Sequence, residues 1–305
     1  MQLETYSSMV PDATLIKLWE KEYSPSEWSK RFPTATEVIN FHVKFITEVS
    51  KKNRQELSCE LDVEYGSGDS EKFDIYGANL PRDAPLFVYI HGGYWQMLSK
   101  TDSGYCAEPL VAKGYRVIVL DYELCPNITL EELVSQIKRA GEYILNYAGE
   151  NHVKHISFAG HSAGAHLIAA MLDLSFATTV KDELQFIKHV YLISGVFRLD
   201  ELRFTKEVNE NNLLCLNDEN IANLSPLNSD YRHLSNSGIK FHVYVAENDS
   251  AVFKQMSNDI HKHLDNCGIT SSLQILPGLD HFDIVEKLSE KSHSITHAIL
   301  ENFES

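Results

Sequence analysis

Residues 160–164 read Gly-His-Ser-Ala-Gly, a G-x-S-x-G pattern of the kind that presents a serine hydroxyl for acyl transfer. The pattern lies between an apolar run at 155–159, typical of a strand, and a run at 162–174, typical of a helix. A strand-to-helix turn strains its central residue and lifts the hydroxyl off the sheet, which requires small residues two positions away. We therefore predict that Ser162 is a nucleophile and that the N–H of Ala163 helps to hold the oxyanion.

A serine hydroxyl becomes nucleophilic when a base removes its proton, and the base needs a carboxylate that fixes its tautomer. In folds built around this turn, the chain order is Ser, then Asp or Glu, then His. Asp249 follows an apolar run at 241–246, and His281 follows another at 272–276. Both therefore leave the edge of the sheet from which Ser162 emerges, and the order predicts a Ser162, Asp249 and His281 triad.

Other titratable residues near these positions compete for the same roles. Glu247 is an alternative acid, although it lies nearer the strand. Asp280 and Asp283 flank the base and are expected to be solvated or helix-capping carboxylates. His161 is expected to point away from the serine hydroxyl, and His166 is expected to pack under the sheet.

Residues 91–95 read His-Gly-Gly-Tyr-Trp and follow an apolar run at 85–90. Two glycines allow the backbone to approach a ligand and to point N–H groups at it, as an oxyanion hole requires. We predict that Gly92 and Gly93 serve this purpose together with Ala163. A plain tight turn is the alternative interpretation of the glycine pair.

These motifs need a scaffold, and from about residue 56 the chain alternates β-branched runs with helical runs. The predicted strands lie at 57–65, 72–76, 85–90, 115–120, 156–159, 190–193, 241–246 and 272–276. The predicted helices lie at 129–147, 162–174, 251–266 and 284–302. The first two strands are expected to form a hairpin. The alternation that follows indicates an α/β fold, with a mostly parallel sheet and helices on both faces.

Two stretches do not follow the alternation. Residues 1–55 are polar and helix-prone, and we interpret them as an N-terminal helical extension. Residues 197–238 form a long segment between two predicted strands, which is typical of a cap or lid over the strand ends. We predict one domain spanning residues 1–305, with these two additions.

The overall charge excludes several classes of partner. The 305 residues include 27 Lys and Arg against 43 Asp and Glu, a formal net charge of −16. Nucleic-acid binding needs a basic face, and a membrane-surface helix needs Lys and Arg opposite its apolar stripe. The sequence therefore predicts neither a nucleic-acid nor a membrane partner.

The remaining composition indicates a cytoplasmic protein without a metal or cofactor. The five cysteines are scattered and contain no C-x-x-C, as expected of reduced thiols. Residues 1–5 lack the start of a secretory signal, and the apolar run at 163–177 is too interrupted and short to span a membrane. Histidine pairs at 261 and 263 and at 293 and 297 lack a third ligand, so we predict no metal site.

Together these motifs resemble the kynurenine formamidase (arylformamidase) family of α/β-hydrolases. The resemblance is carried by residues 91–96, 160–167 and 280–284, with further similarity at 22–26, 74–76, 194–195 and 249–250. It implies an α/β-hydrolase fold with a small cap. It also implies hydrolysis of N-formyl-L-kynurenine to L-kynurenine and formate, a step of tryptophan breakdown.

The resemblance further implies a formyl-serine intermediate on Ser162 and a small-molecule substrate, and a homodimer is compatible with it. Tyr94 and Trp95 are expected to wall the aromatic ring of the substrate. A general carboxylesterase of small acyl esters is the first alternative, because fold and triad do not fix the substrate. A hydrolase fold used only for binding is the second, and an intact triad argues against it.

Overall fold

The structure, a computed structural model, describes residues 11–304; the expectation for a signal at residues 1–5 lies outside them. Its strands are β1 (Cys59–Glu64), β2 (Lys72–Tyr76), β3 (Leu86–Ile90), β4 (Arg116–Leu120), β5 (Ile156–His161), β6 (Ile187–Ile193), β7 (Lys240–Ala246) and β8 (Ser271–Leu276). They form one eight-stranded sheet in the order β1-β2-β4-β3-β5-β6-β7-β8. The first two strands form the expected antiparallel pair, β2 is antiparallel to β4, and the remaining pairs are parallel.

The α-helices of residues 11–304 are α1 (Ala13–Glu22), α2 (Ala35–Glu56), α3 (Ala107–Lys113), α4 (Leu130–Asn151), α5 (Ala163–Met171), α6 (Leu174–Thr179), α7 (Lys206–Asn209), α8 (Asp218–Leu224), α9 (Ala251–Asn266), α10 (Asp283–Glu286) and α11 (Ser294–Glu301). Two buried apolar clusters lie against the sheet, one containing residues of α4, α5 and α9 and the other residues of α3 and α11. The mostly parallel sheet with helices packed on it is the fold class expected from the alternation.

Two helix boundaries differ from the sequence prediction. The helix expected at 162–174 ends at Met171, because the side chain of Asp173 accepts a hydrogen bond from the N–H of Phe176 and starts α6 instead. The single helix expected at 284–302 is wrong. It is interrupted between α10 and α11, where Glu290 and His293 have extended backbone conformations in a polar, serine-rich stretch.

The order of the strands determines where a ligand can bind. The chain places β4 on one side of β3 and then returns to place β5 on the other side. Ile90 at the end of β3 pairs in register with Gly160 near the end of β5. Loops leaving these two strands diverge and open a crevice at the carboxyl edge, which is the usual ligand site of an open parallel sheet. Both sequence motifs, residues 91–95 and 160–164, lie at this point.

The two stretches outside the alternation have defined positions in the chain. Residues 197–238 connect β6 to β7 and contain α7, α8 and short 3-10 turns. The N-terminal stretch contains α1 and α2, and α2 begins with a capping box between Thr34 and Glu37. Within residues 11–304, no helix is both long and apolar enough to cross a membrane.

Three histidines at the amino ends of neighbouring strands bear on acid stability. His155, His189 and His242 precede or lie in β5, β6 and β7, and His189 Nδ1 is 3.0 Å from His242 Nε2. Burial lowers the pKa of His155 to about 4, of His189 to about 3 and of His242 to about 4. All three are therefore neutral in the folded protein at pH 7.

We expect the free energy of unfolding to fall as the pH drops below about 6.5. Below this pH the three histidines become protonated in the unfolded chain but remain neutral in the folded protein. The free energy of unfolding is not reduced by these histidines above about pH 6.5. Between about pH 6.5 and their folded-state pKa values of about 4 and 3, each histidine lowers it by about 1.4 kcal/mol per pH unit. Urea unfolding at a series of pH values measures the slope. His242→Asn should reduce it, whereas His297→Asn, at an exposed position, should not. Equal slopes in the wild type and His242→Asn would contradict the assignment.

Candidate active site

The backbone at Ser162 has the strained turn that the sequence predicts. Strand β5 ends at His161 and α5 starts at Ala163, and Ser162 between them has φ 53° and ψ −116°. A Cβ atom at residue 164 would lie 2.1 Å from the carbonyl oxygen of Ile90, so only glycine allows α5 to approach β3 this closely. The turn therefore holds Ser162 at the crevice between β3 and β5.

The predicted base and acid are in direct contact. His281 Nδ1 donates to Asp249 Oδ1 at 2.7 Å, and the carboxylate is fully buried. Asp249 Oδ2 accepts a second hydrogen bond from Ser194 Oγ at 2.6 Å. The first bond fixes the tautomer of His281 and leaves Nε2 as its acceptor nitrogen. His281 and Ser162 line the same cavity.

His281 is also held through its backbone and its ring. His161 Nε2 donates to the carbonyl oxygen of His281 at 2.8 Å, and the two rings lie 4.6 Å apart. Burial lowers the pKa of His161 well below its usual value, so this imidazole is neutral. The ring of Phe253 packs edge-on against His281 at 4.7 Å. His161 thus contacts the predicted base rather than the serine hydroxyl, in line with the expectation for it.

The predicted oxyanion loop wraps tightly around the end of β3. Gly93, Tyr94 and Trp95 have φ values of 102°, 48° and 61°, a run of left-handed conformations that is costly for the two aromatic residues. A Cβ atom on Gly92 would lie 3.2 Å from Cβ of Ser162, so the backbone of this loop lies directly beside the predicted nucleophile. The glycines thus bring the backbone of this loop close to Ser162.

The two aromatic residues of this loop have different surroundings. Tyr94 lines the cavity, and its hydroxyl donates to the carbonyl oxygen of Tyr23 at 2.6 Å. Trp95 does not line it: the indole is fully buried, with its ring 4.9 Å from that of His166. The prediction that Trp95 contacts the substrate is therefore corrected, because the left-handed turn directs its side chain into the core.

The competing residues have other partners. Glu247 Oε2 accepts from the N–H of Gly278 at 2.7 Å on the exposed side of its loop. Asp280 and Asp283 are buried rather than solvated, so that part of the expectation is wrong. The N-cap residue of α10 is Phe282, without a side-chain capping bond, and the two aspartates bond to each other's backbone instead. Asp280 Oδ1 accepts from the N–H of Asp283 at 2.9 Å, and Asp283 Oδ1 accepts from the N–H of Asp280 at 2.7 Å. His166 is fully buried, and its Nε2 donates to the carbonyl oxygen of Leu224.

A cavity of about 160 Å³ contains Ser162 and His281. The largest set of lining residues comes from the N-terminal stretch, including Tyr23, Pro25, Ile39, His42 and Val43, and the loop at 93–98 supplies the next largest. The segment 197–238 contributes Glu207. The sequence therefore missed the main wall of the site, whose residues approach it only through the tertiary fold.

Charged groups in this cavity are few. Of the described residues that line it, Glu207 is the single Asp or Glu, and no Lys or Arg is among them. Within residues 11–304, no group of three His, Cys, Asp or Glu residues is arranged to bind a metal ion. The cavity is a mostly apolar pocket with one carboxylate and a buried serine, histidine and aspartate set.

Most of the chain, including the sheet, is similar to known proteins. The BD-FAE family matches residues 73–264. A kynurenine formamidase from Salmo salar is 36% identical over 285 residues, covering 92% of this chain and 94% of that protein. A kynurenine formamidase from Drosophila melanogaster is 34% identical, covering 88% of this chain and 91% of that protein. A solved structure of a provisionally assigned thioesterase from Silicibacter sp. tm1040 has a TM-score of 0.73 and 26% identity, covering 85% of this chain and 93% of the other.

Proposed function

The chain belongs to the kynurenine formamidase family, and from this membership we propose that it hydrolyses N-formyl-L-kynurenine to L-kynurenine and formate. The observation that carries the proposal is the contact of His281 with the buried Asp249 beside the cavity that also contains Ser162. A mostly apolar pocket suits the aryl ring of this substrate. Its zwitterionic end has no net charge to be repelled by an acidic protein.

Acylation starts when the Ser162 oxygen attacks the formyl carbon as His281 Nε2 accepts the serine proton. The N–H groups of Gly92, Gly93 and Ala163 stabilise the negative charge on the former carbonyl oxygen. Asp249 stabilises the imidazolium. The C–N bond then breaks, the aryl nitrogen receives the proton from His281, and L-kynurenine leaves as a neutral aryl amine while the formyl group remains on Ser162.

Deacylation repeats these steps with water. His281 accepts a proton from a water molecule as its oxygen attacks the formyl-serine carbon, and the same N–H groups hold the oxyanion. The ester bond breaks, His281 returns the proton to Ser162, and formate leaves. These steps use only the side chains and backbone groups named above. An aryl amine is a better leaving group than an alkyl amine, so a site of the esterase type is sufficient for this amide.

The test of this proposal is release of formate from N-formyl-L-kynurenine by the purified protein, compared with hydrolysis of p-nitrophenyl acetate. We expect a higher kcat/KM for the formamide. Hydrolysis of the ester without any release of formate would contradict the proposal and favour a general carboxylesterase. The absence of both activities would favour a hydrolase fold used for binding.

The amino-acid end of the substrate requires a partner of its own, and Glu207 is placed to supply one. It is the single Asp or Glu among the described residues that line this cavity, and no Lys or Arg lines it. Its N–H is fixed by the Glu20 carboxylate at 3.1 Å, which holds the start of α7 in place. We propose that the Glu207 carboxylate binds the α-ammonium group of the substrate.

Glu207→Gln is expected to raise KM for N-formyl-L-kynurenine about tenfold and to change kcat little, because a charge-assisted contact made equally in ground and transition states is weakened. Steady-state kinetics with N-formylaniline, which has the same formamide without the amino-acid end, should show no change. Glu210→Gln is the matched control, since Glu210 lies in the same segment but outside this cavity. An equal rise in KM for both substrates would rule out the ammonium contact.

A further inference from the structure

We propose that Arg31, in the N-terminal stretch, is a positioning residue that holds the loop carrying His281 in its working position. The proposal rests on the role proposed above for His281 as the base. Arg31 itself does not line the cavity. It acts on the two carboxylates that flank the base along the chain, Asp280 before it and Glu286 after it.

The guanidinium of Arg31 binds both ends of the segment 280–286 at once. Nε and Nη2 donate to the two oxygens of Asp280 at 2.7 and 3.1 Å. Nη1 and Nη2 donate to the two oxygens of Glu286 at 2.7 and 3.2 Å. Two bidentate contacts from one planar group determine both the distance and the orientation of the groups they join. His281 lies directly after the first of these anchors.

The anchored carboxylates extend into a larger buried network. Ser29 Oγ donates to Asp280 Oδ2 at 2.5 Å, so two residues of the N-terminal stretch hold the residue that precedes the base. His42 Nδ1 lies 2.9 Å from Glu286 Oε1. Its ring lies 5.0 Å from that of Phe282, the residue after the base. The segment is thus held on both sides of His281 by residues more than 200 positions earlier in the chain.

Arg31 also balances negative charge close to the base. Asp280, Asp283 and Glu286 are all buried. The basic groups that face them are Arg31, Lys287 at 3.8 Å from Asp283, and the imidazole of His42 at 2.9 Å from Glu286. Burial and the Asp280 carboxylate raise the pKa of Asp283 to about 6. The ring of His281 faces Asp249 and the neutral His161. Removal of Arg31 therefore leaves uncompensated carboxylates that favour the protonated form of His281.

Variants of Arg31 test this role against a merely structural one. Arg31→Gln removes the charge and both bidentate contacts, and Arg31→Lys keeps the charge but loses the fork geometry. Arg139→Gln is the matched control: Arg139 also bridges two carboxylates, Glu71 at 2.8 Å and Glu132 at 2.9 Å, but on α4 and outside the site. The pH dependence of kcat/KM is measured with N-formyl-L-kynurenine and with p-nitrophenyl acetate, and labelling of Ser162 by a fluorophosphonate is timed.

We expect Arg31→Gln to lower kcat about 10- to 100-fold on either substrate and to change KM less than about twofold. The acidic limb of its pH profile should shift to higher pH by at least about half a unit, and labelling of Ser162 should slow. Arg31→Lys should recover part of kcat and the position of the limb. Arg139→Gln should melt at a lower temperature than wild type and keep the wild-type profile.

A wild-type pH profile and kcat in Arg31→Gln would overturn the proposal, as would the same losses in Arg139→Gln. If Arg31→Gln does not fold, Arg31→Lys provides the test. A wild-type kcat in folded Arg31→Lys would contradict the positioning role of Arg31. The ester and the labelling rate separate this proposal from the proposed function, because both report on His281 even if formamide hydrolysis fails. Wild-type protein that the fluorophosphonate does not label would overturn the role of the base and this inference with it.

Discussion

Replacing Ser162 with alanine is expected to lower kcat/KM for N-formyl-L-kynurenine by about 10⁴- to 10⁶-fold, because the variant lacks the hydroxyl proposed to form the acyl intermediate. The residual rate would come from binding and from the N–H groups of residues 92, 93 and 163. The free energy of unfolding should change little, since alanine must adopt the same strained φ of 53° and loses only a hydroxyl.

The comparison for this variant is Ser157→Ala, which removes a buried hydroxyl from the same strand β5 at a distance from the turn. Formate release by Ser157→Ala should stay close to the wild-type rate at matched protein concentration. Activity in Ser162→Ala above about one thousandth of the wild-type rate, with the variant sequence verified by mass spectrometry, would show that another nucleophile carries the reaction.

Asp249→Asn is expected to lower kcat by about 10⁴-fold through the tautomer of His281. Asp249 Oδ2 accepts from Ser194 Oγ and from the N–H of Ala246, so the amide oxygen of an asparagine belongs on that side. Its NH₂ group then faces His281 Nδ1, which must become an acceptor. Nε2 carries the proton in that tautomer and cannot take one from Ser162.

Glu247→Gln provides the control for this variant, because Glu247 is the other acid that the sequence allows. Its carboxylate contacts the N–H of Gly278 and not His281, so the variant should retain kcat within about twofold. Steady-state kinetics on both variants at pH 7.5 distinguishes the two acids. A large loss in Glu247→Gln together with a small one in Asp249→Asn would reverse the assignment.

The positions proposed for catalysis could be predicted because each one follows an apolar run of strand length. Parallel strands bring their carboxyl ends to one edge, so Ser162, Asp249 and His281 were expected to converge without any knowledge of the side-chain contacts. Ser194, which holds Asp249, also follows a strand, but a serine at that place has many explanations until its partner is visible. The local sequence pattern was sufficient to predict the residues at the strand ends. It was not sufficient to predict the residues that hydrogen-bond to them.

The walls and anchors of the site could not be predicted in this way. Tyr23 and Arg31 contact residues far along the chain, and the helical periodicity within residues 11–56 does not indicate which part of the protein this stretch covers. Trp95 is an error of the opposite kind, because the sequence predicted that it lines the pocket. Its left-handed backbone conformation instead directs the side chain into the core. Both errors concern the direction in which a segment or side chain points in the folded protein, which short-range sequence patterns do not encode.

The contact between Ser29 and Asp280 joins residues 251 positions apart, and this separation has a consequence for how the protein folds. Contacts between residues far apart in the chain form late in folding, because the entropic cost of closing a long loop comes before the stabilisation that the contact provides. The ribosome synthesises the N-terminal stretch well before its partners at 280–286, because strands β1–β8 lie between them in the chain. The N-terminal stretch can therefore form these contacts only after strands β1–β8 have been synthesised, and we expect hydrolytic activity to appear after the sheet has formed.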